Sequence, residues 1–413
     1  MSASGQPNIR FIRWLTVLLF MIFAMTTDSV GVIIPQIVQE FRLSLKAAGA
    51  FHYVTMATIA LAAVFLGFLA DRIGRKRTIV LGLTLFASNC YLFILGNSFA
   101  WFLCLLAVSG AAIGIFKTGA LALIGDISSS TTEHTATMNL AEGFFGCGAI
   151  IGPALVAWLI TNGVSWKWLY VIAGSMCVLL ILIAAAVRYP RSAKSTRERA
   201  DLRRTRWVLT NPYALSFATG TFLYVAVESS VYVWGPTYLA AYRGPLVLLA
   251  PYAITVFFFL RAAGRFLGVW LVARVDWSLV LAMFSLAICL CLAGSVIGGV
   301  GTAIVLLPLS GLFMSVIYPT LNSKGISCFE KSEHGAVAGV ILLFTCAGAI
   351  LGPLGMGAII DAYGHPGYAF VVAAVLAALL FVGLSYNWSR HPMRARLARL
   401  DAQEYGVVVA EVR

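Results

Sequence analysis

The chain contains little charge for its length. Of its 413 residues, 11% are charged and 61% are hydrophobic, whereas soluble globular proteins contain about 25% charged residues. A soluble fold has no means of hiding so much apolar surface from water. The scarcity of charge therefore excludes an ordinary soluble enzyme or binding domain and indicates a membrane protein.

Several patterns typical of enzymes and pumps are also missing. No Gly-rich loop followed by Lys and Ser or Thr is present, so nothing supports ATP-driven pumping. The five histidines form no Ser/His/Asp or Cys/His arrangement. The eight cysteines lie in or beside apolar segments without the spacing of metal ligands, which favours packing roles. We therefore expect no enzymatic activity, no metal and no organic cofactor.

Twelve apolar segments, each near the roughly 20 residues that cross a bilayer, predict an all-α membrane protein with twelve transmembrane helices. The first segment contains Asp28 and has no small-residue cleavage site, so it is expected to be a retained helix. The segments lie near 14–38, 50–70, 77–95, 101–125, 137–161, 166–188, 212–236, 246–273, 278–298, 301–323, 334–361 and 366–388.

The distribution of Lys and Arg predicts the orientation. With the N-terminus inside, 22 of the 29 cations lie in the cytoplasmic loops and tails, four lie on the opposite side, and three lie inside predicted helices. Because cations in short loops stay in the cytoplasm, both termini are expected there. Topology and lipid headgroups then explain the net charge of +13 without nucleic-acid binding.

An Arg-rich segment near the middle divides the sequence into two similar halves. We predict six-helix bundles at 1–188 and 212–388, a basic cytoplasmic linker at 189–211 and a cytoplasmic tail at 389–413. The string Gly148-Ala-Ile-Ile-Gly152-Pro153 recurs as Gly348-Ala-Ile-Leu-Gly352-Pro353, and Asp28 has its counterpart in Glu228. Two pseudo-symmetric bundles imply alternating access at their interface.

A few charges fall within the apolar segments, where each costs several kcal/mol unless it faces water or a partner. Asp28, Glu228 and Arg261 lie near the middle of the membrane, and Lys117 and Glu142 lie closer to the cytoplasm. Either these charges line a solute pathway, with Asp28 and Glu228 as proton-coupling acids, or they form ion pairs that close the bundle. Lys117 with Glu142 is the best candidate for such a structural pair.

Amide and aromatic side chains at similar depths are suited to binding a polyol through hydrogen bonds and ring stacking. Packing and interfacial anchoring are the alternatives for each of them. They are Asn139, Tyr224, Tyr232, Trp234, Tyr318 and Asn322. The Gly-Pro strings and Tyr318-Pro319-Thr320 either bend helices for gating or permit close packing.

The most specific motif is Gly67-Phe-Leu-Ala-Asp71-Arg72-Ile-Gly74-Arg75-Lys76-Arg77, between the second and third apolar segments. It resembles the signature loop of the major facilitator superfamily. The resemblance implies a conformational latch, in which Asp71 pairs across the bundle interface and Arg75 reaches an acid at the end of the fourth helix, here Asp126. The alternative is that the loop only fixes the orientation of the protein in the membrane, for which Arg72 and the other cations would suffice.

Further strings are similar to the fucose/galactose/glucose proton symporter branch of that superfamily. Where the branch has acids in its first and fourth helices, this chain has Gly31 and Lys117. These departures, with Arg261, suggest a solute that itself has a negative charge, such as a sugar acid. The similar strings are Val30 to Gln36, Met138 to Ala141, Gly264 to Leu271 and Gly311 to Thr320.

Three functions therefore remain open. We predict a secondary transporter in a bacterial inner membrane that takes up a sugar or sugar acid with protons, acting as a monomer among membrane lipids. Proton-driven efflux of drug-like or organic anion compounds is the alternative within transport. A membrane receptor without flux is a third possibility, although no extramembrane domain larger than the linker is present.

Overall fold

A computed structural model of the chain describes residues 9–66, 69–127, 131–187, 207–272, 274–329, 334–397 and 399. Within those ranges the secondary structure is helical apart from turns, and it contains no strand. Contacts between residues divide the chain into two compact units, Met1–Thr196 and Arg197–Arg413. The predicted linker, up to residue 206, and most of the tail beyond residue 397 lie outside the described residues.

The described part of the first unit contains nine helices. They are α1 (Ile9–Thr27), α2 (Val30–Phe41), α3 (Leu45–Ala48), α4 (Ala50–Leu66), α5 (Leu69–Arg72), α6 (Arg75–Leu92), α7 (Phe99–Ile127), α8 (Thr131–Thr161) and α9 (Trp168–Ala186). The chain enters α6 through Gly74 at a φ of 91°, a conformation that glycine adopts without steric cost.

In the second unit residues 207–210 are helical, and the first long helix starts at an N-terminal cap, since the side chain of Asn211 accepts the N–H of Tyr213 at 3.0 Å and Pro212 occupies the first helical position. The described part of the unit is otherwise built from one 3-10 helix and seven α-helices. Its helices are α10 (Pro212–Leu239), a 3-10 helix (Val247–Tyr252), α11 (Ala253–Val272), α12 (Trp277–Ile297), α13 (Gly299–Met314), α14 (Ile317–Ser327), α15 (His334–Tyr363) and α16 (Gly367–Arg390).

Ten of the described segments are long and apolar enough to cross a membrane. The other two predicted segments are α9, which contains a shorter apolar segment, Trp168–Ala184, and α6, whose first turn consists of three cations. Together these elements occupy the twelve predicted positions, with ends that differ by several residues. The chain is therefore a multi-pass, all-α membrane protein.

The same five pairs of helices pack together in each unit. In the first unit α1 packs on α8 and α9, α6 packs on α7 and α9, and α4 packs on α7. In the second unit α10 packs on α15 and α16, α12 packs on α13 and α16, and α11 packs on α13. This correspondence supports the internal repeat inferred from the sequence.

The repeated Gly-Pro strings lie where two helices approach closely. A Cβ atom on Gly152 would lie 2.7 Å from the Cα of Met25 on α1. The helices α8 and α15 continue through Pro153 and Pro353 without interruption. The structure therefore supports close packing at these strings and shows no break in either helix, and a bend for gating stays a prediction.

Two apolar segments are interrupted, at residues 28–29 between α1 and α2 and at residues 315–316 between α13 and α14. Hydroxyl groups beside both interruptions donate to backbone carbonyls, Thr27 to Phe23 at 3.1 Å and Ser315 to Leu312 at 2.8 Å. Such bonds compete with the helical ladder and bend helices. Pro319 additionally lacks the N–H that would bond the carbonyl of Ser315.

Candidate functional site

An ion pair lies inside the second unit, between two apolar helices. Glu228 is in the middle of α10 and is 7% exposed. The Nε of Arg261 on α11 lies 3.0 Å from the Oε1 of Glu228. The guanidinium of Arg261 also lies 5.7 Å from the centre of the Phe258 ring, a favourable distance for a cation over an aromatic face. The predicted acid and base are therefore partners.

Tyr224 precedes Glu228 by one turn of α10 and adds a hydrogen bond to the ion pair. Its hydroxyl lies 2.8 Å from Oε1 of Glu228 and also 2.8 Å from the carbonyl oxygen of Met314. The side chain is 1% exposed. Because its hydroxyl is buried and donates within the protein, the described contacts of Tyr224 orient neighbouring protein groups.

Tyr318 joins the same cluster from the start of α14. Its ring stacks on that of Tyr224, with centroids 6.3 Å apart and an interplanar angle of 28°. Four of the residues singled out in the sequence, Tyr224, Glu228, Arg261 and Tyr318, are thus brought together by three segments of the second unit. We call them the Glu228 cluster.

Two other candidates in this unit, Trp234 and Asn322, are not members of the Glu228 cluster. Trp234 is fully buried on α10, and its indole N–H donates to the carbonyl of Pro353 at 3.1 Å. Asn322 is partly exposed on α14. The bond from Trp234 satisfies a buried backbone acceptor on α15, as expected of a tryptophan that holds two helices together.

In the first unit the predicted charges lie on three different segments. Asp28 is partly exposed at the interruption between α1 and α2, and its Oδ2 lies 3.3 Å from the hydroxyl oxygen of Thr27. The Nζ of Lys117 on α7 lies 5.3 Å from the centre of the Phe145 ring on α8. Glu142 is exposed on α8, and its pairing with Lys117 stays a prediction. The side chain of Asn139 lies outside the described part of the chain.

The signature loop is described only in part. Gly67 lies outside the described residues, as do the side chains of Asp71 and Asp126, so the latch contacts stay predictions. Arg72 is exposed at the end of α5, and Arg75 is 7% exposed in the first turn of α6.

Some contacts were not anticipated from the sequence. Lys76 donates to the carbonyl of Val187 at the end of α9, at 2.8 Å, which gives one loop cation a structural role. Nothing in the sequence indicated a role for the carbonyl of Met314, although Pro319 indicated an irregularity of the helix in the same segment. Among the described residues no group of His, Cys, Asp and Glu could hold a metal ion.

Comparison with known protein families places this architecture. A sequence profile described as the Major Facilitator Superfamily matches residues 16–353 and, in a second match, residues 252–409. The chain belongs to the major facilitator superfamily. The prediction of a major facilitator transporter is thereby confirmed.

Proteins similar in sequence include a symporter, a transporter and a drug-resistance protein. The L-fucose-proton symporter of Escherichia coli (strain K12) is 26% identical over 415 residues, which cover 88% of this chain and 90% of the symporter. A glucose/galactose transporter of Brucella abortus is 24% identical, with 87% and 90% covered. The quinolone resistance protein NorA of Staphylococcus aureus is 23% identical, with 88% and 93% covered.

Solved structures confirm the fold. A nucleoside transporter, NupG, superimposes with a TM-score of 0.72 at 13% identity, covering 92% of this chain and 99% of its own. The Escherichia coli fucose:proton symporter superimposes with a TM-score of 0.64 at 22% identity, with the same coverage. These similarities support the predicted major facilitator fold of two six-helix halves.

Proposed function

We propose that this major facilitator takes up a small polar solute, a sugar or a sugar acid, together with protons by alternating access. The observation on which the proposal rests is the buried pair of Glu228 and Arg261. A carboxylate in an apolar segment is retained at a cost of several kcal/mol, which is typical of proton and solute pathways. Binding a proton at Glu228 removes the negative charge that Arg261 faces, and thereby links proton binding to the charge of the site.

Asp28 is the second proposed proton site, because it lies at an interruption of the first apolar segment. Such irregular backbone within the membrane is tolerated where it is buried in protein or lines a water-filled cavity. The relatives named as a proton symporter and a glucose/galactose transporter support this choice of coupling ion and solute class.

The proposed charge of the solute depends on Lys117. Arg261 already faces the carboxylate of Glu228 at 3.0 Å, so an anionic solute would have to compete for it. Lys117 lies over an aromatic ring, and its ammonium is therefore the better candidate for neutralising a carboxylate of the solute. A sugar acid satisfies both this cation and the similarity to sugar transporters.

We further propose a bacterial inner-membrane location with both termini cytoplasmic, and a monomeric transporter in which Asp71, Arg75 and Asp126 form the latch. The excess of cations in the predicted cytoplasmic segments supports this orientation. Labelling of single cysteines introduced into the loops after 42 and after 274 would report the side on which each loop lies.

The function is tested in proteoliposomes that contain the purified protein and an imposed proton gradient. We expect uptake of a sugar or sugar acid and, without the gradient, alkalinisation of the medium when the solute is added. Glu228→Gln is expected to abolish the proton flux, whereas Asp361→Asn, at an exposed acid on α15, serves as the control. Vesicles that move no sugar and no organic acid would contradict the proposal.

Efflux is the second candidate, because a quinolone resistance protein is among the relatives. Expression of the chain would then reduce the susceptibility of a sensitive strain to drug-like compounds, and Glu228→Gln would restore it. A protein with neither uptake nor altered susceptibility would instead support the receptor alternative.

A further inference from the structure

The hydroxyl of Tyr224 has one hydrogen and two acceptors. It lies 2.8 Å from the carboxylate of Glu228 and 2.8 Å from the carbonyl of Met314. All three residues are buried, with exposed fractions of 1%, 7% and 0% for Tyr224, Glu228 and Met314. A phenol donates one hydrogen bond, so at any moment the hydroxyl of Tyr224 donates fully to either the carboxylate or the carbonyl.

The carbonyl of Met314 lies at the interruption between α13 and α14. Met314 is the last residue of α13, and α14 begins at Ile317. The last four carbonyls of a helix lack partners within that helix. The hydroxyl of Tyr224 is therefore a partner that the end of α13 needs, and it comes from a different helix.

We propose that Tyr224 is a positioning residue that transmits the protonation state of Glu228 to the interruption between α13 and α14. The inference rests on the proposed function, because it assigns the means by which a coupling proton acts on the helices. The proton received by Glu228 need not move further, since only the directions of hydrogen bonds change.

When Glu228 is ionised, the hydroxyl of Tyr224 donates to the carboxylate, because hydrogen bonds to ionised acceptors are about twice as strong as neutral ones. The carbonyl of Met314 then loses its donor. When Glu228 is protonated, its own O–H donates to the oxygen of Tyr224, and Tyr224 donates to Met314. Protonation thus closes a chain from Glu228 through Tyr224 to the end of α13.

The other groups that face this chain favour the same behaviour. Arg261 pairs with Glu228, and Arg265 on the next turn of α11 acts electrostatically on Tyr224. Arg261 supplies the counter-charge of the carboxylate, and Arg265 adds positive charge beside Tyr224. Tyr318 on α14 stacks on Tyr224, so the ring of Tyr224 is held while its hydroxyl changes partner. Residues 315–316 lie between the two helices and are therefore the segment on which the change acts.

Hydrogen–deuterium exchange of the backbone amides between 315 and 320, where only Pro319 has no N–H, tests the inference at one fixed alkaline pH. In Glu228→Gln the side chain is neutral, as in the protonated acid, so no ionised acceptor holds the hydroxyl of Tyr224 and it donates to the carbonyl of Met314. We expect this variant to exchange more slowly at 315–320 than the wild type. The difference corresponds to one buried carbonyl gaining a donor, roughly 5- to 150-fold.

The decisive comparison repeats the measurement in Tyr224→Phe. With no hydroxyl at this position, Glu228→Gln is expected to change the exchange at 315–320 by less than about twofold, because no group then links the carboxyl to the Met314 carbonyl. Tyr238→Phe, at a buried tyrosine on the same helix that donates to Ser295 at 3.4 Å, should preserve the full effect. An equal effect of Glu228→Gln with and without Tyr224 would overturn the inference.

Gel filtration and circular dichroism establish that each variant is folded. If Glu228→Gln does not fold, the pH dependence of exchange in the wild type and in Tyr224→Phe, corrected for intrinsic rates, replaces it. A pH-dependent difference that disappears in Tyr224→Phe supports the inference, and one that persists contradicts it. If vesicles show no proton coupling while the exchange results hold, the proposed function fails and the hydrogen-bond switch stands.

Discussion

Gly352 of α15 lies directly against Ala226 of α10, and a Cβ atom on the glycine would lie 2.7 Å from the Cβ of the alanine. The nearby Cα of Ala226 is part of the backbone, so relief requires that one helix move. The first unit repeats this relationship between Gly152 and Met25. The glycines of the repeated string therefore set the distance between two helices in each half.

Gly352→Ala is expected to destabilise the protein by about 1–3 kcal/mol, the usual cost of an overpacked interface. Gly355→Ala is the matched control, because a Cβ on Gly355 would meet no atom within 4 Å. This control should leave stability unchanged or raise it by about 0.5–1 kcal/mol, since alanine is the better helix former. Thermal unfolding in detergent measures both, and equal midpoints would contradict the packing role.

Arg261→Ala is expected to reduce stability by about 3–5 kcal/mol, because it leaves the buried carboxylate of Glu228 without its counter-charge. Adding Glu228→Gln should recover much of that loss, since no uncompensated charge then remains. Denaturation of the two single variants and the double variant gives the coupling energy. Additive losses would mean that the two side chains do not depend on each other.

Asp276 lies outside the membrane-spanning segments and caps the N-terminus of α12. Partial burial raises the pKa of its carboxyl, but hydrogen bonds from the hydroxyl and N–H of Ser278 and the N–H of Leu279 outweigh that effect. The pKa is therefore held below its ordinary value of 3.8. A lowered pKa means that the carboxylate stabilises the fold above pH 3.8 and that this contribution is lost as the pH falls through the lowered value.

Asp276→Ala is consequently expected to cost about 0.5–2 kcal/mol at neutral pH, the usual value of an N-cap. This cost should become smaller as the pH falls through the lowered pKa, because the wild-type carboxylate then becomes protonated. Asp276→Asn is the control, because an amide oxygen still caps the helix but does not titrate. Unfolding midpoints of the three proteins between neutral pH and pH 3 check both the size and the sign.

Lys117→Glu is expected to shift binding from sugar acids toward neutral sugars. Loss of a charge-assisted bond to the solute corresponds to roughly a tenfold or greater loss of affinity for the acid. Ligand-dependent increases in unfolding temperature report this change, since a ligand that binds only the folded state stabilises it. Lys117→Gln removes the charge without reversing it, and unchanged preferences in both variants would exclude Lys117 from the solute site.

The sequence was sufficient to select the members of the Glu228 cluster. Glu228 and Arg261 were conspicuous because charges are rare in apolar segments, and Tyr224 and Tyr318 were conspicuous as polar aromatic residues at similar depth. The sequence did not determine their roles, because it does not distinguish a tyrosine that binds a polyol from a tyrosine that donates to a backbone carbonyl. The contact of Tyr224 with Met314 joins residues that are 90 positions apart.

Length and apolarity alone determined the twelve membrane segments, because the thickness of the bilayer requires a helix of about 20 residues whatever its neighbours are. The offset between repeated strings likewise determined that the two halves correspond. Tertiary structure alone decided that Glu228 pairs with Arg261, that the Gly-Pro strings pack and do not break their helices, and that Lys117 faces Phe145. Those outcomes depend on how helices distant in sequence approach each other, which local composition does not specify.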